Sequence, residues 1–352
     1  MGITLTINGI RTSVEPGTTV LEAAQELGIR IPTLCHDPAL SSFSACRMCV
    51  VEVAGMRNLP AACALEAAEG MVVETESPAV VEARRTILEL LLASHPADCL
   101  TCDKSGECLL QDYAYQYQVR GGNLSGEVHD FPLDDTNPYI VRDNNKCILC
   151  GKCVRACAEI RGLHILNFSN RGFNTKVTTA FDEPLADSDC VFCQACVAVC
   201  PVGALMSREL VGRGRRWEMQ KEEVTCTFCD SGCRFWVYRR KTPAGKGGQQ
   251  FNAAGATGGA GGAGAAASAG AAGIAGATGT KSGPVVAVVP KSPGPGRPLC
   301  LKGRLGLELI YNPEVPARPV VRKDGQLVEV SWEEALGLAP LLDRLLSRPG
   351  AI

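Results

Sequence analysis

The first residues alternate apolar and polar side chains, with Ile3, Leu5 and Ile7 on one face and threonines between them. A second short run, Ile10 to Val14, follows Asn8-Gly9, a pair whose tolerance of left-handed backbone suits a two-residue hairpin turn. In TVLEAAQELG the period changes. Leu21, Ala24 and Leu27 recur at helical spacing, and Gly28 closes the run as a C-terminal cap. Residues 1–78 therefore read as a small β-rich domain. Beyond it, VVEARRTILELLLASH carries a helical stripe, so residues 79–120 read as helical. Near the end, SWEEALGLAPLLDRLLSR joins an amphipathic stripe to a capping-box pair, Ser331 and Glu334.

Periodicity fails altogether over residues 241–296. Between Ala253 and Gly279, 23 of 27 positions are Gly or Ala, and the Pro-rich KSPGPGRP follows. Such a stretch cannot bury enough apolar surface to offset its ordering entropy, and it is expected to be a flexible linker. The length of 352 residues suits two or three domains. Only 5% of residues are aromatic, so the cores should be small and held by something besides large rings. The formal net charge of −2 argues against a dedicated nucleic-acid binder. No apolar run is long enough to span a membrane, and MGITLTINGIRT lacks the layout of a secretory signal. Met1-Gly2 with Thr6 fits a myristoylation pattern, but the strand alternation is the better reading of those residues. A cytoplasmic protein is expected.

Cysteine changes the picture. The chain has 19, an odd number that full internal pairing into disulfides cannot accommodate, and clustered thiols in a reducing compartment mean metal or redox chemistry. Cys35, Cys46, Cys49 and Cys63 lie inside the β-rich domain at gaps that fit no common zinc template but suit a loop wrapped around a 2Fe–2S core. Small residues in SACRMC let the backbone approach such a core. His95, Cys99, Cys102 and Cys108 follow, a donor set open to either a 4Fe–4S cluster or zinc. His36, His129 and His164 have no completing set and read as ordinary histidines.

Cys147, Cys150, Cys153 and Cys157 form C-x2-C-x2-C-x3-C, and Cys190, Cys193, Cys196 and Cys200 repeat it, followed by Pro201. This internal duplication is the two-cluster ferredoxin spacing, in which the last cysteine of each run serves the other cluster. One cluster then takes Cys147, Cys150, Cys153 and Cys200, and the other takes Cys190, Cys193, Cys196 and Cys157. Cys226, Cys229 and Cys233 make a fifth group, which Cys300 completes because no other thiol remains.

In this order, the motifs resemble the amino-terminal part of the complex I large iron–sulfur subunit family. That family includes the matching subunits of NAD-linked iron-only hydrogenases and formate dehydrogenases. The resemblance covers residues 1–240 and 297–352. It implies an α+β multidomain chain, with a β-grasp 2Fe–2S domain over 1–78 and a one-His/three-Cys 4Fe–4S segment over 79–138. A double 4Fe–4S ferredoxin module over 139–209 follows. A truncated molybdopterin-oxidoreductase-type 4Fe–4S domain over 210–240 and 297–352 would complete it. CTFCDSGC with CLKGRLGLELIYNPEVPARPVVRKDG is similar to the first domain of molybdopterin-dependent formate dehydrogenases, where a lysine matching Lys302 lies between cluster and pterin. The 66 residues between Cys233 and Cys300 exceed that family's spacing, and the 52 residues after Cys300 are expected to be too few for its molybdopterin domains.

The resemblance implies an electron-transfer subunit of a cytoplasmic NAD(P)-linked complex, with one 2Fe–2S and four 4Fe–4S clusters and no catalytic site of its own. FMN or FAD and NAD(P) would sit on partner subunits, since no GxGxxG follows a strand here. The expected partners are a flavin-containing NAD(P)H-oxidising subunit and a small 2Fe–2S thioredoxin-like subunit, with ferredoxin as a further candidate in an electron-bifurcating complex. The competing readings are the iron–sulfur part of a formate dehydrogenase whose catalytic domain is separate, and a zinc-rich scaffold. Arg208, Arg213, Arg215 and Arg216 read as a solvated basic loop, with a docking face as the alternative. Trp217, Trp236 and Trp332 read as core or interface anchors.

Overall fold

The computed structural model describes residues 2–121, 124, 126–226, 228–241, 285–291, 300, 319–323 and 326–337. The chain divides into two units, Met1–Lys241 with Val285–Leu305, and Thr242–Pro284 with Gly306–Ile352.

The first unit opens with the hairpin of β1 (Ile3–Ile7) and β2 (Ile10–Val14). Asn8 and Gly9 both take positive φ, 49° and 78°, as a turn matching the strand twist requires. Helix α1 (Val20–Glu26) starts in a closed capping box. The Thr19 hydroxyl accepts from the Glu22 N–H, and the Glu22 carboxylate accepts from the Thr19 N–H at 2.8 Å. Gly28, at φ 73°, follows the last turn. With β3 (Glu52–Val53) and β4 (Val72–Glu74), the sheet runs β2-β1-β4-β3, and β1 and β4 form a parallel central pair. Val20, Leu21, Ala23 and Ala24 of α1 pack with Leu5, Ile7, Val53 and Val73 of the sheet. This is a β-grasp arrangement. Cys49 and Cys63 lie at the margin of the same core.

Helix α2 (Pro78–Ala93) is capped by Ser77, with Pro78 at its first position. The helical reading of 79–120 holds on both flanks only. The chain leaves the helix after Ala93, carries His95-Pro96 and three cysteines on turns, and re-enters helix at α3 (Leu109–Gln116).

The duplicated region contains β5 (Ile140–Arg142), α4 (Lys152–Arg155), β6 (Asn167–Ser169), β7 (Lys176–Thr178), α5 (Ala195–Val199) and β8 (Leu205–Ser207). Antiparallel pairing joins β5 to β8 and β6 to β7, and α4 continues as a π-helical turn to Ile160. The backbone repeats with the sequence. Leu149 and Gly151 in the first copy, and Phe192 and Gln194 in the second, all take left-handed φ between their cysteines. Leu88 of α2, Leu110 and Tyr113 of α3, and Ile140, Val177 and Val197 of the duplicated region share one core.

Part of the segment expected to be linker is a strand. Val285–Pro290 forms β11, which pairs antiparallel with β10 (Arg234–Arg240), itself paired with β9 (Met219–Thr225). Its sequence, VVAVVP, is a β-branched apolar run, and Ala287, Val288 and Val289 are buried. The Gly/Ala-rich neighbourhood concealed that signal.

In the second unit, β12 (Val320–Lys323) and β13 (Gln326–Glu329) form a hairpin ahead of α6 (Trp332–Ala335). The Ser331 hydroxyl caps α6 by accepting from the Glu334 N–H. The Glu334 carboxylate pairs with Lys323 instead of closing the expected box. The rest of that amphipathic run, like Lys302, lies outside the described residues. Among the described residues, no helix is long and apolar enough to cross a membrane.

Candidate functional site

The β-grasp loop gathers the first four cysteines. The Cys46 N–H points at the Cys35 sulfur at 3.5 Å, and the Ser44 hydroxyl lies 3.3 Å from the Cys63 sulfur. The Cys46 thiol bonds to Cys35 and draws it down to about 6, while Cys49 does the same to Cys63, lowering it to about 5. The partner thiols are held up by those same bonds. Ser44 and Arg47 take left-handed φ, which turns the short SACRMC loop tightly enough to bring its amides to sulfur.

The next donors lie between α2 and α3. His95, Cys99 and Cys108 line a cavity of about 540 Å³ with Leu92, Leu110 and Ala114 among its walls. The ring of His95 is prepared for a metal. Its Nδ1 lies 3.1 Å from the Pro96 carbonyl, which can only accept, so the neutral imidazole carries its proton there. Its Nε2 is buried without a partner. Burial also lowers the pKa of this imidazole, favouring the neutral form that coordinates. Burial pushes the Cys108 thiol up to about 11. Cys102 is not on that cavity wall. Its sulfur packs 3.0 Å from the position a Cβ on Gly203 would occupy, so that glycine admits it.

Two further cavities lie in the duplicated region. Cys147, Cys150, Cys153 and Cys200 line one, with Ile148, Val177 and Leu205. Cys157, Cys190, Cys193 and Cys196 line the other, with Ile140, Leu166 and Leu185. Each holds three sulfurs of one run and the last of the other. The Leu149 N–H reaches the Cys147 sulfur at 3.4 Å, using the left-handed turn there. Burial pushes Cys147 up to about 11 and Cys150 up to about 12, and holds Cys153 and Cys196 well above the usual thiol range. Thiolates in so apolar a lining need positive charge supplied with the ligand, which is what iron brings to a thiolate cage. Among the described residues, no three His, Cys, Asp or Glu side chains converge as a single metal ion requires. Both cavities are small, about 20 Å³ each, so the preference for a polynuclear cluster over zinc rests on the C-x2-C-x2-C-x3-C spacing and the crossed sets of four sulfurs.

The fifth group sits on the turn joining β9 to β10, where the Cys226 N–H donates to the Cys233 carbonyl at 2.7 Å. Cys226 is buried, while Cys229 and Cys300 are exposed. The end of β11 lies at this same end of the sheet, with Pro290 opposite Phe235 and the Lys291 N–H bonded to the Arg234 carbonyl. The chain is thus delivered to the cysteine turn ten residues before Cys300.

Two arginines expected in a solvated loop point into the protein. Arg215 donates to the carbonyls of Leu100 and Cys102, and Arg216 is buried over the Tyr238 ring beside Glu107. Glu107 also takes Lys221 at 3.0 Å and the Tyr238 hydroxyl; burial opposes its ionisation, but Lys221 keeps its pKa lowered. Arg208 donates to the Asn137 carbonyl at 2.8 Å. Their partners lie far away in sequence, so composition gave no signal of this role. Trp217 and Trp332 are largely exposed, at 56% and 63%, rather than core anchors. Trp236 is half-buried between Lys221 and Lys291. His129 stacks between Phe131 and Phe173.

A β-grasp loop of thiols joined to a duplicated, cysteine-lined fold defines an iron–sulfur protein of the ferredoxin kind. Three family models match it: a 2Fe-2S iron-sulfur cluster binding domain over residues 1–78, the NADH-ubiquinone oxidoreductase-G iron-sulfur binding region over 84–122, and the ferredoxin-like domain of NADH-quinone oxidoreductase subunit 3 over 137–206. The chain is 38% identical over 335 residues to the G-type NADH-quinone oxidoreductase subunit, second form, of Rhizobium meliloti (strain 1021), covering 95% of itself and 34% of that protein. It is 46% identical over 222 residues to NADP-reducing hydrogenase subunit HndD of Solidesulfovibrio fructosivorans, covering 62% of itself and 37% of that subunit. A chain of an NAD+-reducing nickel–iron hydrogenase solved in the H2-reduced state superposes with a TM-score of 0.57 at 35% identity, over 60% of this chain and 90% of that one. The protein belongs to the family of large iron–sulfur subunits found in complex I and NAD(P)-linked hydrogenases. It spans about a third of the length of the curated relatives it matches.

Proposed function

We propose that the chain is a cytoplasmic electron-transfer subunit of an NAD(P)-linked oxidoreductase, carrying one 2Fe–2S and four 4Fe–4S clusters. The observation that carries this reading is the pair of four-cysteine cavities in the duplicated region. Iron–sulfur clusters, when bound, accept and release single electrons with little structural change. The protein holds them, shields them from water and tunes their potentials through its own charges and hydrogen bonds. Cys35, Cys46, Cys49 and Cys63 hold the 2Fe–2S cluster in this reading. His95, Cys99, Cys102 and Cys108 hold one 4Fe–4S cluster. The crossed sets of Cys147, Cys150, Cys153 with Cys200, and Cys190, Cys193, Cys196 with Cys157, hold two more. Cys226, Cys229, Cys233 and Cys300 hold the last, with Lys302 beside it.

Contacts between the ligand loops support a continuous relay. The Leu109 N–H, next to Cys108, donates to the Pro201 carbonyl, next to Cys200, at 2.9 Å. Glu107 ties the same loop to the sheet that carries Cys226 and Cys233. The hydrogenase and NADH-quinone oxidoreductase relatives motivate a flavin-bearing NAD(P)H-oxidising partner, a small 2Fe–2S partner, and ferredoxin as an exchange partner. After anaerobic reconstitution, iron and sulfide analysis should approach about 18 irons per chain. A value near about eight, with stoichiometric zinc, would sink the assignment.

His95 gives a narrower test. His95→Ala should deplete one cluster and spare the others. His95→Cys should keep that cluster and lower its midpoint potential, because a thiolate adds negative charge where an imidazole adds none. Unchanged iron content and EPR spectra in both variants would show that His95 is not a ligand.

A further inference from the structure

Five cationic side chains are buried among the described residues: Arg84, Arg142, Lys152, Arg155 and Arg216. Four have a carboxylate within ion-pair distance, namely Glu76, Asp134, Asp37 and Glu107 respectively. Arg155 is the exception. Only 8% exposed, it bonds to neutral groups alone among the described residues: its Nη2 donates to the Cys35 carbonyl at 2.5 Å, its Nη1 to the Ser41 carbonyl, and its Nε to the Gly151 carbonyl at 3.3 Å. Its guanidinium also lies 5.2 Å from the centroid of the Phe43 ring. A buried cation without an anion carries a heavy desolvation cost, so its countercharge has to come from something these contacts do not include.

Its position says what that is. Arg155 lies between Cys153 and Cys157 in sequence, on the turn of helix that carries two cysteine sets. It reaches across to the backbone of Cys35 in the β-grasp loop. The rest of the helix face makes the same crossing: Lys152 pairs with Asp37 at 3.1 Å, and Glu159 takes the Ser41 N–H at 2.8 Å. Leu40 packs on Ala156 and Val199. Lys152 and Glu159 join the two modules with their charges satisfied or half in water. Arg155 does so with its charge unspent.

Resting on the cluster assignment above, we propose that Arg155 is an electrostatic positioning residue whose charge is balanced by two anionic clusters. These are the 2Fe–2S at Cys35, Cys46, Cys49 and Cys63, whose loop it clamps, and the 4Fe–4S at Cys147, Cys150, Cys153 and Cys200, whose cavity is lined by its acceptor Gly151. None of its partners lines the cavity of Cys157. Reduction adds one electron, hence one negative charge, to either cluster without making or breaking a bond. A fixed positive charge between them favours that reduced state at both sites, and the low-dielectric surroundings leave it little screened. The carbonyl clamp holds the charge at the boundary between the modules, where it acts on both centres together.

The test is a redox titration of the full chain followed by EPR, with iron content measured alongside. Arg155→Gln should lower the midpoint potentials of both clusters. Arg155→Lys, which keeps the charge and loses much of the clamp, should recover most of the shift. The cluster proposed at His95, whose ligand loop Arg155 does not touch, should keep its potential. Phe43→Glu is the second variant, at a partly exposed position that leaves the clamp in place. Its carboxylate would neutralise the guanidinium, so the same two potentials should fall. Unchanged potentials in Arg155→Gln with iron retained would overturn the inference, as would equal shifts in the Gln and Lys variants. If Arg155→Gln fails to hold iron, unchanged potentials in Phe43→Glu overturn it. Absence of 2Fe–2S and 4Fe–4S signals from the unsubstituted protein would instead refute the underlying assignment.

Discussion

Cys200→Ala is expected to cost the chain about four irons, and they should come from the cluster of the other cysteine run. Cys200 closes the run that begins at Cys190, yet it lines the cavity of Cys147, Cys150 and Cys153. Double variants expose the sharing. Cys147→Ala with Cys200→Ala should lose no more iron than either alone, because the crossed assignment gives both to one cluster. Cys190→Ala with Cys200→Ala should lose about eight irons, two cubanes' worth. Cys157→Ala should behave reciprocally, matching Cys190→Ala in its EPR difference spectrum. If the 190/200 pair loses only one cluster while the 147/200 pair loses two, each run serves itself and the crossed assignment is wrong. Both cavities adjoin the core shared by α2, α3 and the duplicated strands, so losing a cluster should also lower the thermal stability of the whole first unit.

The second large effect is expected at Arg84, which is fully buried within α2. It donates to the Tyr117 hydroxyl at 2.7 Å, the Val50 carbonyl at 2.9 Å and Glu76 at 2.5 Å. Val50 follows Cys49, so this guanidinium joins the β-grasp loop to the helices. Arg84→Met should destabilise the protein by about 3–5 kcal/mol, since it strands a buried carbonyl and hydroxyl together. Glu76→Gln should cost less, about 1–3 kcal/mol, because that carboxylate is half exposed and partly screened by water, yet its loss leaves the buried Arg84 without an anion. Thermal bleaching of the 2Fe–2S visible absorption is the measurement. The Arg84 variant should bleach at the lowest temperature, and the Glu76 variant between it and the unsubstituted protein. Comparable losses in both would mean that the ion pair, and not the neutral hydrogen bonds, holds the junction.

What could be read from the chain depended on the range of the interaction concerned. Asn8-Gly9 and the Leu21/Ala24/Leu27 spacing closed by Gly28 act over a few residues, and their sequence signals matched the backbone closely. The duplicated cysteine spacing is likewise local, and it reappears as paired left-handed residues in the two copies. Strand β11 was hidden because its six residues sit beside a tract of Gly and Ala that dominates any composition window. Arg155 and Arg215 were out of reach for a different reason. Their acceptors, the carbonyls of Cys35 and Cys102, lie more than a hundred residues away, and a carbonyl has no sequence signature. The basic cluster around Arg215 therefore read as solvent-facing, when tertiary structure turns it onto a ligand loop.

The pairing of β10 with β11 also fixes where the chain can vary. Arg239 stands opposite Val285, so the Gly/Ala-rich stretch departs and returns at adjacent points on one edge. The cysteine turn occupies the opposite end of the same strands. Additions or deletions in that stretch are expected to leave the backbone bond between Cys226 and Cys233 at the other end intact. The chain should therefore tolerate drift in length over generations, or a spliced tag, at the end of the sheet away from the cysteine turn.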